Sequence, residues 1–504
     1  MSFIVLVTDT GTKELSFCEN ESVFDVLVKN EINIGAACGG KGRCGKCGAL
    51  LDPAPEPAAA DRKFFSEEEL KNGMRLTCLV KPENGMKVKT VGAGDKGFEA
   101  LGADRSDKAD TLGDMYIAID IGTTTVALCL TDKDGNIAAS AAGVNAQRIY
   151  GADVISRITA SIEGKGEELE KLIKDLLLEK IGELAANVDK ERIKRVVISG
   201  NTTMGHLFMG LECNSLGVFP FTPVDISLMK LSFKEAFNSD LLSCEVVLLP
   251  GISTYVGADI VSGMLYCDMD SSEDINLFVD LGTNGEMAIG KKGSFLVSST
   301  AAGPAFEGGN ISCGTGSIPG AICSVDIEDG KVSYKTIGDA PAAGICGTGA
   351  VESVAALIKG GLMDETGMLD EDIFDDGFVI ADDISFTQKD VREMQLAKSA
   401  VRAGLETLII RYNTDYDHIK NLYVAGGFGH KLDVNKAAMI GMFPNELIDK
   451  IVTVGNSSLL GAIEFAKTGD DKRLEKIVLD SREIGLSEDK DFSDLYIENM
   501  YFDV

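Results

Sequence analysis

The chain of 504 residues has no tryptophan, no long apolar run and far fewer basic than acidic residues. Its 48 Lys and Arg residues stand against 79 Asp and Glu, so the formal net charge is −31. A surface this acidic repels phosphate backbones and anionic lipids, and we expect neither a nucleic-acid nor a membrane partner. Since no stretch of 18 apolar residues is present, the sequence predicts no membrane-spanning helix.

Two further features are missing, a disulfide scaffold and a signal for secretion. Twelve cysteines are too few for disulfide bonds to hold a chain of this length together. The first eight residues have no basic segment and run into a polar turn, which indicates a β-strand and not a signal peptide. We therefore expect a cytoplasmic protein, with more than one domain because single cores rarely exceed about 250–300 residues.

The chain divides into three parts, which we predict to be an N-terminal domain at residues 1–91, a linker at 92–114 and an α/β domain at 115–504. The first part has the strand–turn–helix rhythm of a small β-grasp domain. Its patterns predict strands at 3–7, 14–18, 75–80 and 86–91, and a helix at 23–30 that is N-capped by Ser22. The linker is rich in Gly, Ala, Asp and Lys. Beyond it, strands alternate with helices.

Four cysteines of the N-terminal part have the spacing of an iron–sulfur site. Cys38, Cys44 and Cys47 lie within ten residues of a glycine-rich loop, and Cys78 follows downstream. Glycines allow such a loop to point backbone N–H groups at a negatively charged cluster. Structural zinc, which is the alternative metal, typically uses two close cysteine pairs, and only Cys44 and Cys47 form one. Four free thiols remain the second alternative.

This loop resembles that of the plant and adrenodoxin ferredoxins. The five residues between Cys38 and Cys44 match the adrenodoxin type better than the plant type, which has four. The resemblance implies a [2Fe–2S] ferredoxin-like domain and one-electron transfer at low potential. Plant-type clusters lie at about −400 mV.

The α/β part contains one motif twice. An apolar strand ends at Asp120 and is followed by Gly-Thr and a second strand, and the same order recurs at Asp280. Two copies of one hairpin predict a duplicated fold with facing halves, at about residues 115–270 and 271–504. The amides and Thr hydroxyl of such a turn can surround phosphate oxygens. We expect Asp120 and Asp280 to be catalytic, holding Mg²⁺ through water or orienting the attacking water.

A third element, a strand that runs into paired glycines at residues 422–429, is suited to an adenosine ring. In this order the motifs resemble the acetate/sugar kinase–Hsp70–actin superfamily, which implies a ribonuclease H-like ATPase core. Segments 257–264 and 456–463 are similar to its two connecting helices. The residues expected to bind ATP are Gly122, Thr123, Thr124, Thr125, Gly282, Thr283, Asn284, Gly426, Gly427 and Phe428.

Taken whole, a ferredoxin-like domain before such an ATPase resembles the reductive activators of corrinoid proteins. The resemblance implies that one electron and ATP hydrolysis return a corrinoid cobalt from inactive Co(II) to Co(I). It further implies a corrinoid protein of a methyltransferase system as partner and an external low-potential electron donor, and it leaves a homodimer as one alternative. Because the linker runs directly into Tyr116, we expect no room for the middle domain of some family members.

Two other functions remain open. One is an activator of a radical dehydratase or reductase, whose relatives hold a [4Fe–4S] cluster between two subunits. The other is a small-molecule kinase with a redox-sensing ferredoxin-like domain. Iron content separates the first from corrinoid activation, and phosphate transfer to an added acceptor separates the second.

Overall fold

The computed structural model describes residues 2–8, 11–30, 32, 42, 45, 47–90, 109–328, 330–427 and 432–502. The predicted linker thus lies largely outside the described residues. In the N-terminal part, five strands form one sheet in the order β2-β1-β5-β3-β4. The elements of this part are β1 Phe3–Thr8, β2 Gly11–Ser16, α1 Val23–Lys29, β3 Gly48–Asp52, α2 Asp61–Phe64, α3 Glu67–Lys71, β4 Met74–Leu76 and β5 Lys87–Thr90.

The predicted helix α1 is confirmed together with its cap. Ser22 accepts from the Asp25 amide at 3.2 Å, and the Asp25 carboxylate accepts in turn from the Ser22 amide. The predicted strand at 75–80 is wrong in its second half, because β4 ends at Leu76 and a 3₁₀-helix, Thr77–Leu79, follows. The chain turns there because both the amide and the hydroxyl of Thr77 donate to the carbonyl of Cys47.

The first half of the α/β part is a six-stranded sheet in the order β10-β11-β9-β6-β7-β8. Its elements, besides a 3₁₀-helix at Ala146–Tyr150, are β6 Met115–Ile121, β7 Thr125–Asp132, β8 Ile137–Val144, α4 Val154–Ala160, α5 Gly166–Ala185, β9 Ile193–Gly200, α6 Thr202–Met209, β10 Met229–Ser232, α7 Phe233–Phe237, β11 Glu245–Leu248 and α8 Ala258–Tyr266.

The second half has a six-stranded sheet in the order β21-β20-β12-β13-β14-β22, with two smaller sheets beside it. Its elements are β12 Ile275–Leu281, β13 Gly285–Lys291, β14 Ser294–Thr300, β15 Ala321–Glu328, β16 Lys331–Thr336, β17 Gly344–Ile345, α9 Gly347–Lys359, β18 Phe378–Ala381, β19 Ile384–Phe386, α10 Gln388–Arg411, β20 Ile419–Ala425, α11 Val434–Met439, β21 Ile451–Gly455, α12 Ser457–Thr468, α13 Asp471–Leu479, β22 Ser481–Glu483 and α14 Lys490–Glu498.

The two large sheets repeat one topology, which confirms the predicted duplication. In each, three consecutive strands form an antiparallel meander (β6-β7-β8 and β12-β13-β14). A later strand, β9 or β20, then pairs in parallel with the first strand of its meander. The carboxyl ends of β6 and β12 therefore occupy equivalent places in the two halves.

Helices α8 and α12 lie between the two sheets. The buried cluster around them combines the inner face of the first sheet (Val197), the inner face of the second (Phe278) and apolar side chains of both helices (Met264 and Leu459). The outer faces of the sheets pack on other helices, α5 and α6 in the first half and α9 and α10 in the second. Each sheet is thus buried on both faces, as its continuously apolar strands require.

The N-terminal domain contacts the first half through α1. Ile149, in the 3₁₀-helix Ala146–Tyr150, packs against the apolar core of the N-terminal sheet, and this 3₁₀-helix lies against α1. The N-cap of this short helix is Asn145, which lies beside the loop between β6 and β7. One segment of six residues therefore touches both the N-terminal domain and the carboxyl end of β6.

The crossing of α8 and α12 depends on Gly461. A Cβ at this position would lie 2.0 Å from the carbonyl oxygen of Ser262, which is backbone and cannot move aside alone. Ser457, one turn earlier on α12, similarly lies close to Gly263 of α8. The small residues Gly263, Ser457 and Gly461 are therefore required by the approach of the two helix backbones.

We expect Gly461→Ala to lower the free energy of unfolding by about 2–4 kcal/mol, because its methyl group forces the helices apart in a packed core. Gly182→Ala is the matched control. Gly182 also lies inside a helix, α5, but no atom lies within 4 Å of the position of its Cβ. That substitution should stabilise the protein by up to about 1 kcal/mol. Urea unfolding of both variants measures the difference, and equal stabilities would contradict the close crossing.

Candidate functional site

The two predicted Gly-Thr turns follow equivalent strands, but the first has one more residue between its paired strand ends than the second. We call residues 122–124, between β6 and β7, the first bend, and residues 282–284, between β12 and β13, the second bend. The Gly122 amide donates to the Thr125 carbonyl at 3.1 Å, and the Gly282 amide donates to the Asn284 carbonyl at 3.0 Å. A Cβ on Gly122 would lie 2.5 Å from that Thr125 oxygen, so the first bend requires glycine.

Glu307 connects the two bends across the cleft between the halves. Thr124 of the first bend donates its hydroxyl to Glu307 Oε2 at 3.4 Å, and Thr283 of the second bend hydrogen-bonds the same carboxylate. Water still reaches Glu307, but the surrounding protein raises the pKa of its carboxyl group. The bends thus face one space, as the duplication predicted, at the carboxyl ends of two β-strands.

Asp120 is held by the second connecting helix. Its two carboxylate oxygens accept from Asn456 Nδ2 at 2.9 Å and from Ser458 Oγ at 2.7 Å. Ser458 Oγ also lies 2.9 Å from Ser199 Oγ, which in turn lies 2.9 Å from Ser262 Oγ of α8. A buried chain of hydroxyls therefore joins Asp120 to both connecting helices.

Four carboxyl groups in the cleft act on one another through their charges, namely those of Asp120, Asp259, Asp280 and Glu286. Burial and the charges of Asp259 and Asp120 raise the pKa of Asp280 to about 8. Burial and the charge of Asp120 raise the pKa of Asp259 to about 7. Burial and the charges of Asp259 and Asp280 raise the pKa of Glu286. Such a group of acids binds protons until a cation neutralises it, and a hydrated Mg²⁺ is a suitable cation. Asp259 and Glu286 were not predicted, because neither belongs to the Asp-x-Gly-Thr pattern.

Three side chains from neighbouring segments of the first half hold the first bend in place. Asn145 Nδ2 donates to the Gly122 carbonyl at 2.8 Å, and Asn201 Nδ2 donates to Thr123 Oγ1 at 3.0 Å. The guanidinium of Arg157, which is fully buried, donates to the Thr123 carbonyl. The bend is thereby held by side chains that lie outside it.

The paired glycines after β20 adjoin the second bend. A Cβ on Gly426, whose φ is +94°, would lie 2.4 Å from the Leu281 carbonyl and 2.8 Å from Asp280 Oδ1. The Gly426 amide donates to the Gly455 carbonyl, which follows from the pairing of β20 with β21. Gly427 follows it in the same turn, and the predicted contact Phe428 lies outside the described residues.

Two of the four predicted cluster cysteines are described, and they converge. Cys47 Sγ lies 3.2 Å from Cys78 Sγ, and this hydrogen-bonded contact lowers the pKa of the buried Cys47 thiol. Two thiols held this close, one of them inclined to ionise, fit the thiolate ligands of an iron–sulfur cluster. Cys38 and Cys44 lie outside the described residues.

Two negative observations hold for the part of the chain that the structure describes. No three His, Cys, Asp or Glu side chains there lie close enough to ligate one metal ion. No helix there is both long and apolar enough to cross a membrane.

Comparison with known proteins decides the family. The chain is 32% identical, over 77% of its length and 70% of the relative's, to the corrinoid activation enzyme RamQ of Eubacterium limosum. It is 28% identical, over 72% of both chains, to the [Co(II) methylated amine-specific corrinoid protein] reductase of Methanosarcina barkeri. The chain belongs to the corrinoid activator family. A solved structure titled reductive activator for corrinoid, iron-sulfur protein agrees, at 28% identity and a TM-score of 0.70, covering 100% of this chain and 98% of that one.

Family profiles match most of the length of this chain. The profile of the 2Fe-2S iron-sulfur cluster binding domain matches residues 7–83, and the C-terminal ASKHA domain of RACo matches residues 274–504. The RACo middle region matches residues 115–272. The expectation that the chain lacks a middle domain was therefore wrong, because the first half of the duplicated core is itself the middle region of this family.

The raised pKa of Asp280 predicts a pH dependence of stability in the activator without nucleotide or Mg²⁺. The unfolded carboxyl titrates near pH 3.9, so between about pH 4 and 8 the folded protein binds the extra proton and loses stability as the pH rises. Asp280→Asn cannot ionise. The change in the free energy of unfolding that Asp280→Asn causes should therefore be about 1–2 kcal/mol more stabilising at pH 8.5 than at pH 6.

Urea unfolding at both pH values measures this difference. Asp240→Asn is the control, since the Asp240 side chain is 80% exposed. The prediction fails if Asp280→Asn responds to pH in the same way as the control.

Proposed function

We propose that the protein binds Mg·ATP between the two bends and couples its hydrolysis to the reduction of a corrinoid protein. In this reaction one electron passes from the [2Fe–2S] cluster to the corrinoid, whose cobalt changes from inactive Co(II) to Co(I). The observation that carries the proposal is the pair of equivalent bends, joined by Glu307, on one chain with a ferredoxin-like domain. Membership of the corrinoid activator family supplies the class of acceptor.

Each part of the cleft has a role in this proposal. The bends surround the phosphates with backbone amides and threonine hydroxyls. The paired glycines at Gly426 leave space for adenosine against the backbone. Asp280 and Asp120, at equivalent strand ends, hold hydrated Mg²⁺ or orient the attacking water. Asn456 and Ser458, at the start of helix α12, bind Asp120. A change at the phosphates that moves Asp120 therefore also moves α12.

ATP is required because the electron moves to an acceptor of low potential. Each 59 mV uphill costs a factor of ten in a one-electron equilibrium. Hydrolysis can drive the step if nucleotide changes the conformation that binds the acceptor. The cluster, bound by Cys38, Cys44, Cys47 and Cys78, supplies one-electron redox chemistry, and an external low-potential donor must reduce it again after each turnover.

The cysteine ligands make a prediction that separates the two domains. Cys47→Ser should remove or distort the cluster while leaving ATP affinity within about twofold, because different domains supply the two sites. Iron and sulfide content, visible absorbance and calorimetric titration with Mg·ATP measure both properties. Cys18→Ser is the control, since Cys18 is an exposed thiol of the same domain. A parallel loss of the cluster and of ATP affinity would contradict the assignment of the two sites to different domains.

The complete reaction makes a second prediction. Reduced protein mixed with a Co(II) corrinoid protein should produce Co(I) absorbance only when Mg·ATP is present. Asp280→Ala should keep a reducible cluster but lose at least about 100-fold in the ATP-dependent rate, a loss typical of removing a group that stabilises phosphoryl transfer. Retained activity would remove Asp280 from the mechanism, and ATP-independent reduction would refute the coupling. Phosphate transfer to an added small acceptor would favour the kinase alternative.

A further inference from the structure

Arg148 is a cationic side chain beside the first bend that the site as described so far does not use. It lies in the 3₁₀-helix Ala146–Tyr150, immediately after Asn145, whose amide donates to the Thr124 carbonyl at 3.0 Å. The protein around it leaves only part of the side chain exposed. Its guanidinium makes no hydrogen bond and no ion pair within 4 Å with any residue that the structure describes.

Arg148 lies near charged groups without forming an ion pair with any residue that the structure describes. Glu307 is the acidic neighbour whose charge acts on it, and this carboxylate is already hydrogen-bonded to Thr124 and Thr283. Arg157 is the second guanidinium nearby. Burial and the charge of Arg148 lower the pKa of Arg157 to about 9. Asp153 is the acidic neighbour whose charge acts on Arg157, as Glu307 acts on Arg148. The two guanidinium groups still repel each other and have lost hydration, and an anion at this end of the cleft would relieve both effects.

The geometry of the cleft identifies the anion. The paired glycines proposed for adenosine lie against Leu281 and Asp280, at the end of β12 just before the second bend. A nucleotide with its base at that end must direct the far end of its phosphate chain toward the first bend. The four carboxyl groups that suit Mg²⁺ lie around Asp280, whereas Arg148 lies in the short helix capped by Asn145, whose amide binds the Thr124 carbonyl of the first bend.

We propose that Arg148 binds the terminal phosphate of ATP, and this inference rests on the nucleotide site proposed above. A guanidinium offers two parallel N–H donors to a phosphate and cannot lose its charge in the working range of pH. Glu307 acts on Arg148 through its charge, so the guanidinium breaks no ion pair when it binds the phosphate oxygens. Arg148 thereby distinguishes a triphosphate from a diphosphate.

The test compares affinities for ATP and ADP, each with Mg²⁺, by calorimetric titration of the full chain. Arg148→Gln should weaken ATP binding about 10- to 100-fold, which is the range of a charge-assisted hydrogen bond, and change ADP binding less than about threefold. Arg148→Lys, which keeps the charge without the planar pair of donors, should lose about 3- to 10-fold for ATP. Arg192→Gln removes the same charge at a surface ion pair with Asp189 and should change neither affinity.

Each outcome decides a different claim. Equal losses for ATP and ADP, or no loss, would overturn the role of Arg148 while leaving the nucleotide site in place. If the unchanged protein bound neither nucleotide, the proposed function would fail together with this inference. Should Arg148→Gln fold poorly by thermal melting, the ratio of ATP to ADP affinity in Arg148→Lys decides alone, and an unchanged ratio would refute the inference.

Discussion

The hydrogen bonds that hold Asp120 join the two halves of the core. Asp120 ends the first strand of one half, and the residues that bind it, Asn456 and Ser458, begin a helix of the other half. Ser199 and Ser262 extend this contact to β9 and α8. If the hydroxyl chain were broken, a carboxyl group with few other partners would remain in a poorly hydrated cleft. The first bend, both connecting helices and the cleft are therefore positioned as one unit.

Local features of this fold could be predicted from the sequence, and the contacts between distant residues could not. The repeat at Asp120 and Asp280 located both bends, and Ser22 located the start of α1, because neighbouring residues determine these structures. Glu307 lies in a glycine motif of its own, 183 residues from the Thr124 it contacts. The strand predicted at 75–80 failed because a side chain and amide of Thr77 bond to a distant carbonyl, which no periodicity reveals.

Opposite charges divide the cleft. Acidic groups lie around Asp280 and Asp259, and the guanidinium groups of Arg148 and Arg157 lie by the first bend. Mg·ATP has the complementary arrangement, a cation bound along a chain of anionic phosphates. The segment that carries Arg148 also carries Ile149, which packs on the core of the ferredoxin-like domain. The electron-carrying domain and the end of the cleft nearest the first bend are thus adjacent through a single turn of chain.

The contact of Gly461 with the Ser262 carbonyl limits the motions available to the core. Two helices whose backbones meet at a point cannot slide along each other unless one rises over the other, and the sheets packed on both sides oppose that. Rotation about the point of contact needs no such separation. Any opening or closing of the two halves would therefore be a rotation about this point of contact, and a small change of angle there would become a larger displacement at the rim of the cleft.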